Sequence, residues 1–118
     1  MDRLLKACIY TWRGLLAALR SERAFQQEAI VFAIGVPVSF VIAAVPWKRF
    51  LLIAVLLLVM IVELLNTAVE KLSDHVAPKR HNRIRDVKDM SSAAVGLSIV
   101  LAAIAWLLAL GEWIAARL

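Results

Sequence analysis

Three long apolar runs constrain this chain more than any other feature of its sequence. From Ala29 to Trp47 no residue is charged, from Phe50 to Val69 only Glu63 is, and from Met90 to Gly111 none is. Each run approaches the roughly 20 residues a helix needs to cross the hydrocarbon of a bilayer. A soluble fold would break such runs into alternating strands or narrow helical stripes. The sequence therefore predicts an all-α integral membrane protein with spans at about 29–47, 50–70 and 90–112. At 118 residues, 63% of them hydrophobic, it reads as one membrane domain covering residues 1–118.

Ahead of the first span, residues 2 to about 24 place Leu4, Leu5, Cys8, Ile9, Trp12, Leu15, Leu16 and Leu19 on one helical stripe, with Arg3, Lys6, Tyr10 and Arg13 on another. That pattern predicts an amphipathic helix lying in the membrane interface. This segment is charged throughout and the first apolar run lacks an A-x-A-like site, so no cleaved leader is expected. The net charge of +5 is unevenly spread. Arg3, Lys6, Arg13, Arg20 and Arg23 precede the first span, and Lys71, Lys79, Arg80, Arg83, Arg85 and Lys88 lie between the second and third. Both regions are assigned to the cytoplasm, and the short first link and the C-terminus to the outside. The basic excess is thus a topology signal with an attraction for anionic lipid or nucleotide phosphate, and nucleic-acid binding need not be invoked. The single cysteine, Cys8, excludes an internal disulfide.

Within the first span, Gly35 and Pro37 predict close packing against a neighbour and a kink. Pro46, Trp47 and Lys48 are expected to form a short outer turn with an aromatic at the interface. The second span continues through Glu70, Lys71, Ser73 and Asp74, which predicts one long helix emerging into the cytoplasm and ended by Pro78. Residues 79–88, KRHNRIRDVK, read as a basic connector. The third span opens on Ser91, Ser92, Ala93, Ala94 and Gly96, small residues that let helices approach closely.

Glu63 is the residue that demands a chemical explanation. Without it the second apolar run is only Phe50 to Val62, about 20 Å of helix and too short for a core of about 30 Å, so Glu63 lies within the membrane or at its edge. A carboxylate there costs at least about 2.5 kcal/mol and is a functional candidate by default; the bland reading is a protonated Glu bonded to a neighbouring span. Glu63, Asn66, Glu70 and Asp74 follow one another on a single helix face at 100° per residue. About 10.5 Å along the axis separates Glu63 from Glu70, room for a lipid hydroxyl deep and a metal-bound triphosphate shallow. Lys88 and Asp89, at the mouth of the third span, would form the second wall of the cleft. No G-x-x-x-x-G-K-[ST] or kinase-type glycine loop is present, and His75 and His81 lack partners at zinc-ligand spacing.

Three segments, A-F-Q-Q-E (24–28), V-E-L-L-N-T-A-V-E (62–70) and K-D-M-S-S-A-A-V (88–95), closely resemble the prokaryotic diacylglycerol kinase family in order and context. The resemblance covers essentially the whole chain. It implies an ATP-dependent kinase of diacylglycerol with Mg²⁺ as cofactor, residing in the bacterial inner membrane as a homotrimer with active sites shared between chains. By that resemblance Glu63 is the catalytic base, Asn66 a positioning group, and Glu22 with Glu70 the magnesium carboxylates. Lys88 and Arg3 would neutralise phosphate charge, Asp89 and Tyr10 complete the nucleotide side, and Ser92 reaches the reaction centre. The lipid would touch Ala24, Phe25 and Glu28.

The chain departs from the family pattern at two places. Ser91 replaces the usual glycine of K-D-M-G-S, which is expected to tighten helix packing. Lys79, Arg80 and His81 replace an acidic E-Y-H connector; they are carried to the nucleotide site with a changed local charge. Undecaprenol kinases share E-x-x-N-x-x-x-E and K-D but continue K-D-x-A-A-G-A-V, so K-D-M-S-S-A-A-V favours diacylglycerol over a polyprenol. A small proton-coupled exporter also uses an intramembrane Glu, but in the first of four spans and without a cytoplasmic polar cluster.

Overall fold

The computed structural model describes residues 2–77 and 82–118 and contains four α-helices among them. They are α1 (Asp2–Ser21), α2 (Arg23–Ile42), α3 (Pro46–Val76) and α4 (Asn82–Ala115). The last three are long and apolar enough to cross a membrane. Lipid offers no hydrogen bonds, so an apolar run there must satisfy its own backbone, and a helix does so within the run. These features make the chain a multi-pass membrane protein.

The helix ends differ from those expected, for local reasons. Helix α2 stops at Ile42, where the Ala43 N–H donates to Ser39 O at 3.0 Å. Pro46, expected in the turn, instead opens α3, since a missing N–H and a fixed φ suit a first helical position. The link is therefore residues 43–45, and Trp47 belongs to α3. Helix α3 runs 31 residues, about 46 Å, and ends at Val76 with the Ala77 N–H on Ser73 O at 2.9 Å. Pro78 follows in the sequence, and a residue before proline is steered out of the helical region. Pro78, Lys79, Arg80 and His81 lie outside the described residues. The rest of the expected connector is not a loop: residues 82–88 form the first turns of α4, because Arg, Lys and Ile support a helix as readily as they decorate a linker.

Helix α3 packs chiefly against α4 and α2, while α1 touches mainly α2. Its buried face is one stripe, apolar at Leu52, Val55 and Val59 and polar at Glu63, Asn66 and Ser73. Val55 and Val59 meet Ala102, Ala105 and Trp106 of α4, and the Trp106 indole donates to Leu52 O at 3.1 Å. Gly35 lets α2 come close: a Cβ there would stand 2.5 Å from Leu56 Cδ1 and 3.5 Å from the Trp106 ring. Ser39 and Ser98, both buried, donate back to Val36 O and Val95 O and so carry no unmet hydroxyl.

Only 11% to 28% of each span's apolar stretch is buried inside the chain. The remainder, including Leu57, Ile61, Leu65, Leu97 and Leu108, faces outward. The apolar residues of α1 are also uncovered: Leu4 is 69% and Trp12 65% exposed, and Ala18 is the helix's only buried residue.

Candidate active site

The buried stripe of α3 changes from apolar to polar at Glu63, and the site is built there. Glu63 and Asn66, each 7% exposed, occupy successive turns of that stripe. Asn66 Nδ2 donates to Glu70 Oε1 at 3.1 Å, while Asn66 Oδ1 is buried with no partner among the described residues. A buried carbonyl oxygen without a donor or cation is costly, which marks this oxygen as poised for a ligand.

Glu22, just ahead of α2, and Glu28, on α2, come to the same region. Glu70 and Glu22 both lie near enough to act on the charge of Glu63, and Glu63 acts on that of Glu28. Glu22 is the single residue between α1 and α2, held in an extended conformation at φ −108° and ψ 108°. Gln26 Nε2 braces this joint by donating to Leu19 O at 2.8 Å. The Glu22 carboxylate pairs with Lys71 Nζ of α3 at 3.1 Å. Beside that pair, Tyr10 and Gly14 of α1 face Leu64, Thr67 and Lys71 of α3 across a cleft of about 400 Å³.

Glu28 points differently. It lines a cavity of about 330 Å³ otherwise walled by apolar side chains, Val31, Leu56, Val59, Ile99 and Trp106 among them. Its Oε1 is buried with no partner among the described residues. Phe25, fully buried at 1% exposure, anchors the first turn of α2, and Ala24 beside it is exposed.

One turn beyond Glu70 on α3, Asp74 Oδ1 accepts from Lys88 Nζ of α4 at 2.7 Å. Arg3, Asp89 and Ser92 are exposed and take part in none of these contacts. The structure thus brings Glu22, Glu28, Glu63, Asn66 and Glu70 together, lines one cleft with Tyr10 and Glu22, and sets Lys88 on Asp74. Lys79, Arg80 and His81 lie outside the described residues.

Sequence reasoning missed Lys71 as the partner of Glu22 and placed Asp74 on the stripe without a partner. Charge complementarity alone could have nominated both, but the pairing depends on how the helices are rotated.

Among the described residues no group of three or more His, Cys, Asp or Glu side chains forms a ready metal cage. The donors are nevertheless hard oxygens, two glutamates and an unpartnered Asn66 carbonyl. That set suits Mg²⁺, which is held by one or two carboxylates together with substrate phosphates.

Fold and site together define a multi-pass helical membrane protein with neighbouring glutamates where its bundle turns polar. Residues 9–110 match the prokaryotic diacylglycerol kinase family. Similar proteins include the diacylglycerol kinase of Escherichia coli (strain K12), 40% identical over 104 residues that make up 88% of this chain and 85% of the relative. The diacylglycerol kinase of Pseudomonas aeruginosa is 40% identical over 106 residues, 90% of this chain and 86% of its own. That of Haemophilus influenzae is 33% identical over 106 residues, 90% of each chain. The chain belongs to the prokaryotic diacylglycerol kinase family.

Proposed function

We propose that this protein is an ATP-dependent diacylglycerol kinase that makes phosphatidic acid at the membrane interface. The observation that carries the reading is the burial of Glu63 and Asn66 on the α3 face that leads to Glu70, in a chain whose relatives bear that name.

Glu63 is the general base. It takes the proton of the lipid hydroxyl as that oxygen bonds to the γ-phosphorus, and the bond from phosphorus to the β-γ bridging oxygen breaks to release ADP. Asn66 orients the hydroxyl, and Ser92 reaches the same centre. Glu28, Ala24 and Phe25 bound the lipid, whose chains run into the apolar cavity beside Glu28. Lys88 and Arg3 neutralise phosphate charge, with Asp89, Tyr10, Lys79, Arg80 and His81 on the nucleotide side. Glu22 and Glu70 would hold Mg²⁺, which when bound spreads and neutralises phosphate charge. Bringing a lipid and a soluble nucleotide together at the polar end of a bundle needs neither to leave its own phase.

The working unit is a homotrimer with shared sites. This reading rests on the resemblance to the family, since lipid covers uncovered apolar span surface as well as a neighbouring chain would. The protein resides in the bacterial inner membrane as one kinase domain, α1 lying on the surface, with the N-terminus and second loop cytoplasmic and the C-terminus outside. The distribution of Lys and Arg supports that orientation.

The test is transfer of labelled γ-phosphate from MgATP to diacylglycerol and, separately, to undecaprenol in mixed micelles, with Glu63→Gln as control. Label on diacylglycerol that vanishes in the variant is the expected result. Label on undecaprenol alone would reassign the acceptor, and label on neither would overturn the kinase reading.

A further inference from the structure

At the end of the bundle remote from the active site, the last turn of α2, the first turn of α3 and the last turns of α4 converge. Lys48 and Glu63 are separated by roughly 22 Å along α3, so this end belongs to the other face of the bilayer. Lys48 forms an ion pair with Glu112 of α4. Arg49 stacks over the Phe40 ring at 4.3 Å, and its Nη2 donates to Ala43 O at 3.0 Å. Arg117 stacks over Trp113 at 4.0 Å, and its Nη1 donates to Trp113 O at 3.1 Å. Between them lies a cleft of about 230 Å³ bounded by Ala43, Ala44, Lys48, Glu112, Trp113 and Arg117.

The cleft has more donors than acceptors. Two cationic side chains, Lys48 and Arg117, line it with one acidic side chain, Glu112, which Lys48 already engages, and Arg49 stands behind Ala43 and Ala44. Arg49 Nε and Trp113 Nε1 are both buried with no acceptor among the described residues. Buried N–H groups are normally paired, so the Trp113 orphan in the lining, with that of Arg49 just behind it, calls for an acceptor from outside the chain. Trp47 and Trp113 place the cleft at the boundary between hydrocarbon and water, the level at which such aromatics settle. The anion abundant at that depth is the lipid phosphate, and guanidinium forks match its oxygens.

We propose that this cleft binds the phosphate of an anionic lipid in the leaflet opposite the active site. Lys48 and Arg117 reach the phosphate oxygens, Trp113 Nε1 supplies a directed donor, and Arg49 adds positive charge from behind Ala43 and Ala44. Neither orphan donor belongs to the kinase site.

The experiment uses the full chain in neutral detergent, titrated with phosphatidylglycerol, with a galactosyl diacylglycerol of the same acyl chains, and with inorganic phosphate. Native mass spectrometry reads retained lipid, and thermal unfolding reads stabilisation. Trp113→Phe removes one donor and keeps an aromatic ring, and Arg117→Gln alters an exposed side chain; both lie at the end of the bundle remote from the kinase site, so phosphoryl transfer in both variants remains that of the parent. Phosphatidylglycerol should be retained and raise Tm, with retention about tenfold weaker in the double variant and negligible for the galactolipid. Equal retention by parent and double variant would overturn the site. Equal retention of the galactolipid would overturn the role of phosphate, and full stabilisation by inorganic phosphate alone would overturn the lipid.

Discussion

Lys88 Nζ on α4 meets Asp74 Oδ1 on α3 at 2.7 Å, so a single hydrogen bond joins the two helices beyond the polar stripe of Glu63, Asn66 and Glu70. The side chains are 38% and 68% exposed, so solvent screens the pair and it adds little to stability. The value of the contact lies in where it holds the ammonium. Asp74→Asn should leave Tm nearly unchanged while raising KM for ATP by about tenfold. Steady-state kinetics on both substrates check this, since a purely structural role would move Tm and leave the nucleotide KM alone.

Glu70 accepts from Asn66 and stands near Glu63, which fits a carboxylate shared between positioning and metal binding. Glu70→Gln should raise the Mg²⁺ concentration for half-maximal activity by roughly tenfold or more. Chelation should abolish transfer in the parent. A Mg²⁺ titration at fixed ATP separates this effect from loss of the base.

Glu28 has an oxygen buried beside an apolar cavity with no partner among the described residues. Glu28→Gln replaces the carboxyl with an amide of the same shape that never ionises, so the variant should be at least as stable as the parent. Its KM for diacylglycerol should rise by about tenfold while KM for ATP stays put. Opposite movements of stability and lipid affinity are the signature to measure.

Gly35 has no room for a large side chain against Leu56 and Trp106. Gly35→Leu should cost about 1–3 kcal/mol by overpacking. Trp106→Phe deletes the bond to Leu52 O, worth about 0.6 kcal/mol on average for interhelical bonds within membranes, and also part of the ring packed beside Gly35, so its cost should exceed that figure. Unfolding in mixed micelles ranks the two.

Helices α2, α3 and α4 were legible because an apolar run in lipid has few ways to satisfy its backbone. The alignment of Glu63, Asn66 and Glu70 was legible because it depends only on the 100° turn per residue. Helix ends were harder to read. Pro46 is equally at home in a turn or at a first helical position, and the charged residues 82–88 suit either a connector or a helix. The pairs of Lys71 with Glu22 and Lys88 with Asp74 depend on the mutual rotation of separate helices, which one-dimensional spacing does not encode. The orphan donors of Arg49 and Trp113 are likewise products of packing. Nothing in their sequence neighbourhood distinguishes them from ordinary interfacial residues.

The joint between α1 and α2 is one residue long, and that residue is Glu22. A longer loop would absorb a tilt of α1 before it reached the bundle. Here the tilt and the placement of a carboxylate beside Lys71 are a single mechanical variable. The joint works as a lever without slack, and whatever presses on α1 is felt where the charges are.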